Sequence, residues 1–281
     1  MTTLLLDNGH SVIRHHRTSH GSCGVLVVTF AEMYQNDPSK PGFGQDFLLT
    51  AGFDVVTVQK RSELWYQDLS PESFRAAVAP VASQYSRVVT YGVSMGAFAA
   101  LLYAGAIGAS ALALSPMVSI HPHLPGAQLV ELRGKVELRH IYLTDAPRGD
   151  GTIVVIYDPL MSHDQLYVER EVMPAFPDAK IVRLPRGDHP VARALWEMGI
   201  LQSLVVGFLR EGQVPAARFE RPHRGQSSVY LANLATHCAR RGRVALGLRL
   251  FDRAIDLAQD WAKPALERRR SAFARRRGTG D

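Results

Sequence analysis

Arg87-Val88-Val89-Thr90-Tyr91-Gly92-Val93-Ser94-Met95-Gly96-Ala97-Phe98-Ala99-Ala100-Leu101 joins a β-branched run to an Ala-rich helical run through the pattern Gly-x-Ser-x-Gly. Such a junction reads as a nucleophile elbow: the serine occupies a strained strand-to-helix turn, and the flanking glycines let strand and helix approach closely. Ser94 is therefore the candidate nucleophile. An acyl-transfer serine also needs a base to take its proton, an acid to orient that base, and donors for the oxyanion.

Outward from the elbow, apolar runs alternate with helical patterns. Strands are predicted at 24–30, 54–59, 87–91 and 109–114, with helices at 71–83 and 96–107. Past a connecting region, strands at 152–157 and 180–184 alternate with helices at 164–176 and 191–209. This alternation predicts an α/β fold, a mostly parallel sheet with helices on both faces. The interruption at 117–151 carries Pro122, Pro125 and Pro147 and reads as a small cap over the strand ends, leaving substrate access open. The catalytic domain is thus expected to span 1–210.

Residues 211–226 become Pro-, Arg- and Gly-rich without periodicity and read as a linker. A helical hairpin is expected in 227–262, from amphipathic stretches at 228–241 and 244–261 joined at Arg241-Gly242-Arg243. Its Leu234, Ala235, Gly242, Gly247, Phe251 and Ala254 resemble the small and large positions of one tetratricopeptide repeat, while Cys238 and Gln259 depart from that pattern. One such repeat cannot bury its own face, so the hairpin should pack on the catalytic domain or on a second copy, with a protein partner as the alternative.

Of the 281 residues, 46% are hydrophobic, ample for a packed core, and the net charge is +6. That charge is concentrated in 263–281, where seven basic residues face two acidic ones. The body is close to neutral, which argues against a folded nucleic-acid face; the Arg-rich tail reads as a solvated or frayed helix end, or as a docking tail for an acidic partner. Two cysteines, Cys23 and Cys238, suit a reducing compartment. With neither a secretory leader nor a bilayer-spanning stretch in view, a cytoplasmic location is expected. His10, His15, His16, His20, His121 and His123 lack a His-Glu-x-x-His or clustered Cys arrangement and read as solvent-facing loop residues, so no metal is expected. No phosphate loop or dinucleotide fingerprint follows the early strands, so no cofactor is expected either.

Two further stretches complete the catalytic set. Ile156-Tyr157-Asp158-Pro159-Leu160-Met161 ends one strand on an aspartate, and Leu184-Pro185-Arg186-Gly187-Asp188-His189-Pro190 follows the next with a histidine. Ser94, Asp158 and His189 then stand in the order nucleophile, acid, base. Asp164 is the alternative acid, although its position suits the N-cap of the following helix. Asp188, beside the histidine on an extended segment, is expected to be solvated.

This order, with each member just past a strand end, resembles the α/β-hydrolase family across roughly residues 20–210. The resemblance implies catalytic groups gathered at one edge of the sheet, and Asp-Pro-Leu-Met-Ser is similar to that family's Asp-Pro-Leu-Val-Pro acid loop, which favours Asp158. One oxyanion donor is expected from the Met95 amide and the second from the loop after the first parallel strand, from Ala31 or alternatively Phe30. The family's frequent His-Gly pair is replaced there by Thr29-Phe30-Ala31.

Residues 59–68 should share the site's rim. Lys60 and Arg61 could hold a phosphate or carboxylate, and Trp65 and Tyr66 could stack on a sugar or acyl group. The plainer alternative packs the aromatics over the sheet edge and leaves the charges wet. Tyr34 and His163 are further loop candidates. The expectation is a serine hydrolase of the esterase or deacylase type acting on a small-molecule, polar or glycan-borne ester. An acyltransferase or thioesterase would use the same triad, and an idle hydrolase-fold scaffold would act through its helical hairpin.

Overall fold

In the computed structural model, which describes residues 1–19, 21–124, 135–214 and 221–275, eight strands form one sheet. They are β1 (Thr2–Asp7), β2 (Ser11–His16), β3 (Val25–Phe30), β4 (Asp54–Lys60), β5 (Arg87–Val93), β6 (Ser110–Leu114), β7 (Ile153–Tyr157) and β8 (Lys180–Arg183). The order across the sheet is β1-β2-β4-β3-β5-β6-β7-β8. β2 pairs antiparallel with both β1 and β4, and every pair from β4 to β8 is parallel.

The inner parallel strands read largely as apolar runs because both of their faces are covered. Leu26, Val28 and Phe30 of β3 bury on one face with Val56, Val58, Ala111, Ala113 and Val155. Their neighbours Val25 and Val27 bury on the other with Val55, Val89, Leu112, Leu114 and Val154. That is the two-residue period of a strand, expressed as two cores separated by one sheet. The first core is closed by α2 (Pro71–Ala82) and α3 (Met95–Ala104). A helical stretch also closes it, starting with α4 (Ser162–Tyr167) and running through a π-helical turn, Val168–Val172, into Met173–Ala175. The second is closed by α1 (Gln45–Thr50), α5 (Val191–Glu197) and α6 (Leu201–Glu211). α2 starts where its residues dictate: the Ser70 hydroxyl accepts from the Ser73 amide at 3.1 Å, and Pro71 opens the helix.

Several features differ from the sequence reading. The expected helix at 191–209 is two helices bent by 109°, broken at Gly199 with φ 71°. β1 and β2 form a hairpin through Asp7-Asn8-Gly9: Asn8 Oδ1 accepts from the His10 and Ser11 amides and Asp7 Oδ1 from that of Gly9. β1 is an edge strand whose register shifts between Leu4 and Leu6, with Leu4 exposed. His15 and His16 on β2, and His121, are buried rather than solvent-facing, and His121 Nε2 approaches Glu171 Oε1 at 3.2 Å. Residues 117–151 were expected to cap the strand ends. Within the described part, Val118, Ile120, Ile141 and Leu143 enter the first core. Residues 125–134 and 215–220, within the expected cap and linker, and the tail end 276–281 lie outside the described residues.

His16 is hydrogen-bonded at both ring nitrogens, Nδ1 to the Thr2 hydroxyl and Nε2 to the Thr57 hydroxyl, each at 3.0 Å. Burial lowers its pKa to about 4. The unfolded chain binds the proton near the ordinary 6.5, so the stabilising contribution is complete above that pH and is lost as pH falls toward 4. His15 is displaced the same way, again by burial first. Thermal unfolding across this window is expected to show wild type losing up to ~3 kcal/mol more than His16→Gln on going from pH 6.5 to pH 4, since each pKa unit is worth about 1.4 kcal/mol.

At the C-terminus, α7 (Ser228–Arg240) and α8 (Val244–Leu257) form the expected hairpin, turning at Gly242 with φ 71°. The Arg-rich segment is not frayed over its described part. It is a third helix, α9 (Lys263–Arg275), with Leu266 buried and the Phe273 ring edge-on to Phe251. Gly247 makes room for it: a Cβ there would lie 2.6 Å from Phe273 Cζ. Val229 and Tyr230 of α7 join the second core, so the hairpin packs on the α/β domain of its own chain. Among the described residues no single helix is long and apolar enough to cross a membrane.

Candidate active site

The elbow is built as its residues require. Ser94 has φ 52° and ψ −116°, a conformation that costs a non-glycine residue energy and persists because its surroundings determine it. Its amide donates to Leu114 O at 2.9 Å, while its carbonyl accepts from Ala97, Phe98 and Met117. A Cβ on Gly92 would lie 2.1 Å from Gly96 O, and one on Gly96 would lie 2.7 Å from Phe30 O. Glycine at both positions is thus a steric demand of the turn. Beyond it α3 is buried at every position, and the alanines let it lie close on the sheet.

Ser94 Oγ is 2.9 Å from His189 Nε2, and His189 Nδ1 is 2.7 Å from Asp164 Oδ1. The three side chains come from the β5–α3 turn, the β8–α5 loop and the first turn of α4, all beyond the C-terminal ends of parallel strands. The favoured acid is corrected here: Asp164, not Asp158, meets the histidine. The helix begins at Ser162 with Met161 as its N-cap residue, so Asp164 does not cap it and its carboxylate is left for His189. Asp158 is equally buried but turned toward backbone, accepting from the Leu160 amide through Oδ1 and the Asp188 amide through Oδ2, each at 2.9 Å. Burial raises its pKa, against the pull of the Leu160, Asp188 and Arg186 amides.

His163 lies beside this relay, its Nε2 3.2 Å from Asp164 Oδ1 and its ring centroid 5.3 Å from that of His189. Burial depresses its pKa, against the pull of the Asp164 carboxylate. His163, Asp164 and His189 offer three ligand atoms within 4.8 Å of one another. However, the 2.7 Å hydrogen bond between two of them is shorter than the roughly 3.3 Å that separates ligands at ~2.0 Å from a tetrahedral ion. As they stand, these groups suit proton relay and not ligation.

A pocket of about 260 Å³ opens at Ser94, and four methionines line it: Met33, Met95, Met117 and Met161, together with Ser119 and His163. Larger clefts of about 800 and 570 Å³ lie at the opposite edge of the sheet, by Ser86, Val88 and Thr152, remote from these groups. Met95 opens α3, where an amide has no acceptor within its own helix. The Ala31 amide, expected to be the second oxyanion donor, instead extends the sheet by donating to Val58 O at 3.0 Å. Phe30, the alternative, ends β3 and turns its carbonyl toward Gly96. The next amide, Glu32, donates to Gln35 Oε1 at 3.0 Å.

Most of the rim candidates are engaged elsewhere. Lys60 is buried between Asn36 Oδ1 (2.5 Å) and Glu63 Oε1 (2.9 Å), and Arg61 makes a bidentate pair with Asp7 (2.7 and 2.8 Å). Trp65 and Tyr66, two successive residues with positive φ, are buried. The Trp65 indole donates to Ser119 Oγ at 3.0 Å and the Tyr66 hydroxyl to Ala31 O at 2.7 Å, so both support the pocket wall from behind. Tyr34 is exposed next to Met33. Asp188 is not solvated as expected: with φ 65°, its Oδ1 accepts from the His189 amide at 2.9 Å.

No protein-family model matches the sequence, and no curated protein matches it. Solved structures do. Mouse alpha/beta hydrolase domain-containing protein 10 is 11% identical over 76% of this chain and 100% of its own, with a TM-score of 0.50. An alpha/beta hydrolase enzyme from the metagenome of lagoon sediments at Mar Chica, Morocco, is 16% identical over 75% of this chain and 100% of its own, at 0.44. The capsule O-acetyltransferase of Neisseria meningitidis serogroup A is 10% identical over 73% and 94%, at 0.48. At these identities the likeness is one of architecture, and it agrees with the sheet order and the elbow described above: the chain has the α/β-hydrolase fold.

Proposed function

We propose that the chain is a serine hydrolase of the esterase or deacylase type, acting through Ser94, His189 and Asp164. The observation that carries this reading is the unbroken relay from Ser94 Oγ through both ring nitrogens of His189 to a fully buried carboxylate. With Asp164 accepting from Nδ1–H, Nε2 is left as the acceptor that a general base requires. His189 takes the Ser94 proton as Oγ attacks the acyl carbonyl, then returns it to the leaving alcohol. The acyl-enzyme is resolved by a water that His189 deprotonates, which releases the acid and restores the serine. The oxyanion forms against the Met95 amide at the positive end of α3.

The methionine lining supports a short, flexible aliphatic acyl group, because thioether chains fill irregular apolar space and adapt to what enters. A polar or glycan alcohol portion of the ester has less support, since Lys60, Arg61, Trp65 and Tyr66 are engaged with protein partners. The test is a fluorophosphonate probe with mass-spectrometric mapping, alongside p-nitrophenyl esters of increasing acyl length. Labelling at Ser94 with turnover of short-chain esters is expected. Absence of both would leave a hydrolase-fold scaffold, and labelling at another residue would overturn the assignment.

A further inference from the structure

The His189 loop is held from two sides, and one side belongs to the C-terminal helices. From the catalytic domain, Asp158 Oδ2 accepts from the Asp188 amide, and Ser115 Oγ accepts from the Val191 amide at 3.1 Å. From α7, Asn233 Nδ2 donates to Asp188 Oδ2 at 3.3 Å and lies 3.4 Å from Arg186 O. Asn233 is itself oriented by α9, where Arg269 Nη2 donates to Asn233 Oδ1 at 3.0 Å and to Thr236 Oγ1 at 3.1 Å. Asp188 is the hinge of this arrangement. Its backbone is in the left-handed region, its Oδ1 takes the His189 amide, and its Oδ2 takes Asn233.

The helix that follows the histidine is tied to the same unit. Glu197, at the end of α5, accepts from the Ser227 and Ser228 hydroxyls (both 2.8 Å) and from the Val229 amide (3.0 Å). Arg193 lies over the Trp261 ring, 4.5 Å from its centroid. The polar contacts cited here from Ser227, Ser228, Val229 and Asn233 of α7 and its N-cap, and the ring of Trp261 between α8 and α9, therefore all fall on one stretch, Arg186–Glu197, with His189 inside it.

We propose that Asn233 is a positioning residue for His189, acting through Asp188, and that the C-terminal helices are a working part of the active site and not an appended partner-binding module. The proposal rests on the reading of His189 as the general base. Asn233 touches no reacting atom. It holds the Asp188 carboxylate where that carboxylate can grip the His189 amide, and so fixes the imidazole within hydrogen-bonding distance of Ser94. A small displacement of a catalytic base is costly because proton transfer depends on that distance.

The test uses the full-length chain. Asn233→Ala is expected to lower kcat and the rate of Ser94 labelling by about tenfold, with KM and the unfolding midpoint little changed. Arg269→Ala, which frees Asn233 from α9, is expected to give a smaller drop of the same kind, and it carries the test if Asn233→Ala does not fold. In a double-mutant cycle, Asn233→Ala should cost nothing further once Asp188→Ala is present, because the two act in series. Wild-type kcat in both Asn233→Ala and Arg269→Ala, additive losses in the cycle, or a loss matched by the fraction unfolded would each overturn the proposal. If turnover does not need Ser94 or His189, the proposed function fails. If turnover needs both but is indifferent to Asn233, only the positioning role fails.

Discussion

Replacing Ser94 with alanine is expected to lower kcat for a short-chain ester by about 10⁶-fold and to abolish fluorophosphonate labelling, with the fold intact. The expectation follows from the chemistry of a relay: without Oγ, the 2.9 Å contact to His189 has no proton to pass and no acyl-enzyme forms. Alanine leaves the glycine contacts on either side untouched, so thermal unfolding should be close to wild type. His189→Ala should fall by a comparable factor, and the double variant should fall little further, because the pair acts as a unit. A Ser94→Ala protein within tenfold of wild type would place the nucleophile elsewhere.

The second large effect separates two buried aspartates. Asp164→Asn is expected to reduce kcat by about 10⁴-fold with little change in KM. An amide opposite Nδ1 favours the tautomer protonated at Nε2, which cannot accept the serine proton. Asp158→Asn should behave differently, since that carboxylate accepts from the Leu160 and Asp188 amides and does not contact the imidazole. Its amide nitrogen would face a backbone donor in one of the two places, so the expected cost is mainly in stability, about 1–3 kcal/mol, with kcat within about tenfold of wild type. Kinetics and denaturant unfolding on the same preparations check both. A 10⁴-fold loss in Asp158→Asn at unchanged stability, with Asp164→Asn active, would reverse the assignment.

These two aspartates also mark where the sequence stops being legible. The inner strands could be read because burial on both faces leaves apolar runs, β-branched in β3, β4, β5 and β7, and the elbow because its glycines and serine each answer a local steric demand. Which aspartate reaches the histidine depends on how far α4 starts beyond β7 and where it points, and no local pattern encodes that. The end of α5 illustrates a missed local signal: Gly199, inside an apolar helical run, stands one residue past the C-cap Met198 in the left-handed region where the chain turns. Asn8-Gly9 between Leu-rich and β-branched stretches was another, a turn signal in the short link from β1 to β2.

Other features lay beyond local reading. Trp65 and Tyr66 look alike as rim aromatics or as buried struts until their hydroxyl and indole partners, Ala31 and Ser119, are brought in from distant segments. The four pocket methionines come from four separate loops or helix starts and share no spacing. Asn233, 45 residues from Asp188 in the chain, is an unremarked helical polar residue until α7 docks.

The two borders of the sheet have a consequence for how the molecule behaves among copies of itself. An unpaired strand offers a row of donors and acceptors on which another chain can build. At one border β1 breaks its own regularity at the shift between Leu4 and Leu6, so its outer rim does not present an even ladder despite the exposed leucine. At the other, β8 is four residues long and carries exposed charge at both ends, Lys180 and Arg183. Irregularity on one flank and brevity with like charge on the other make each side a poor template for another chain's strand.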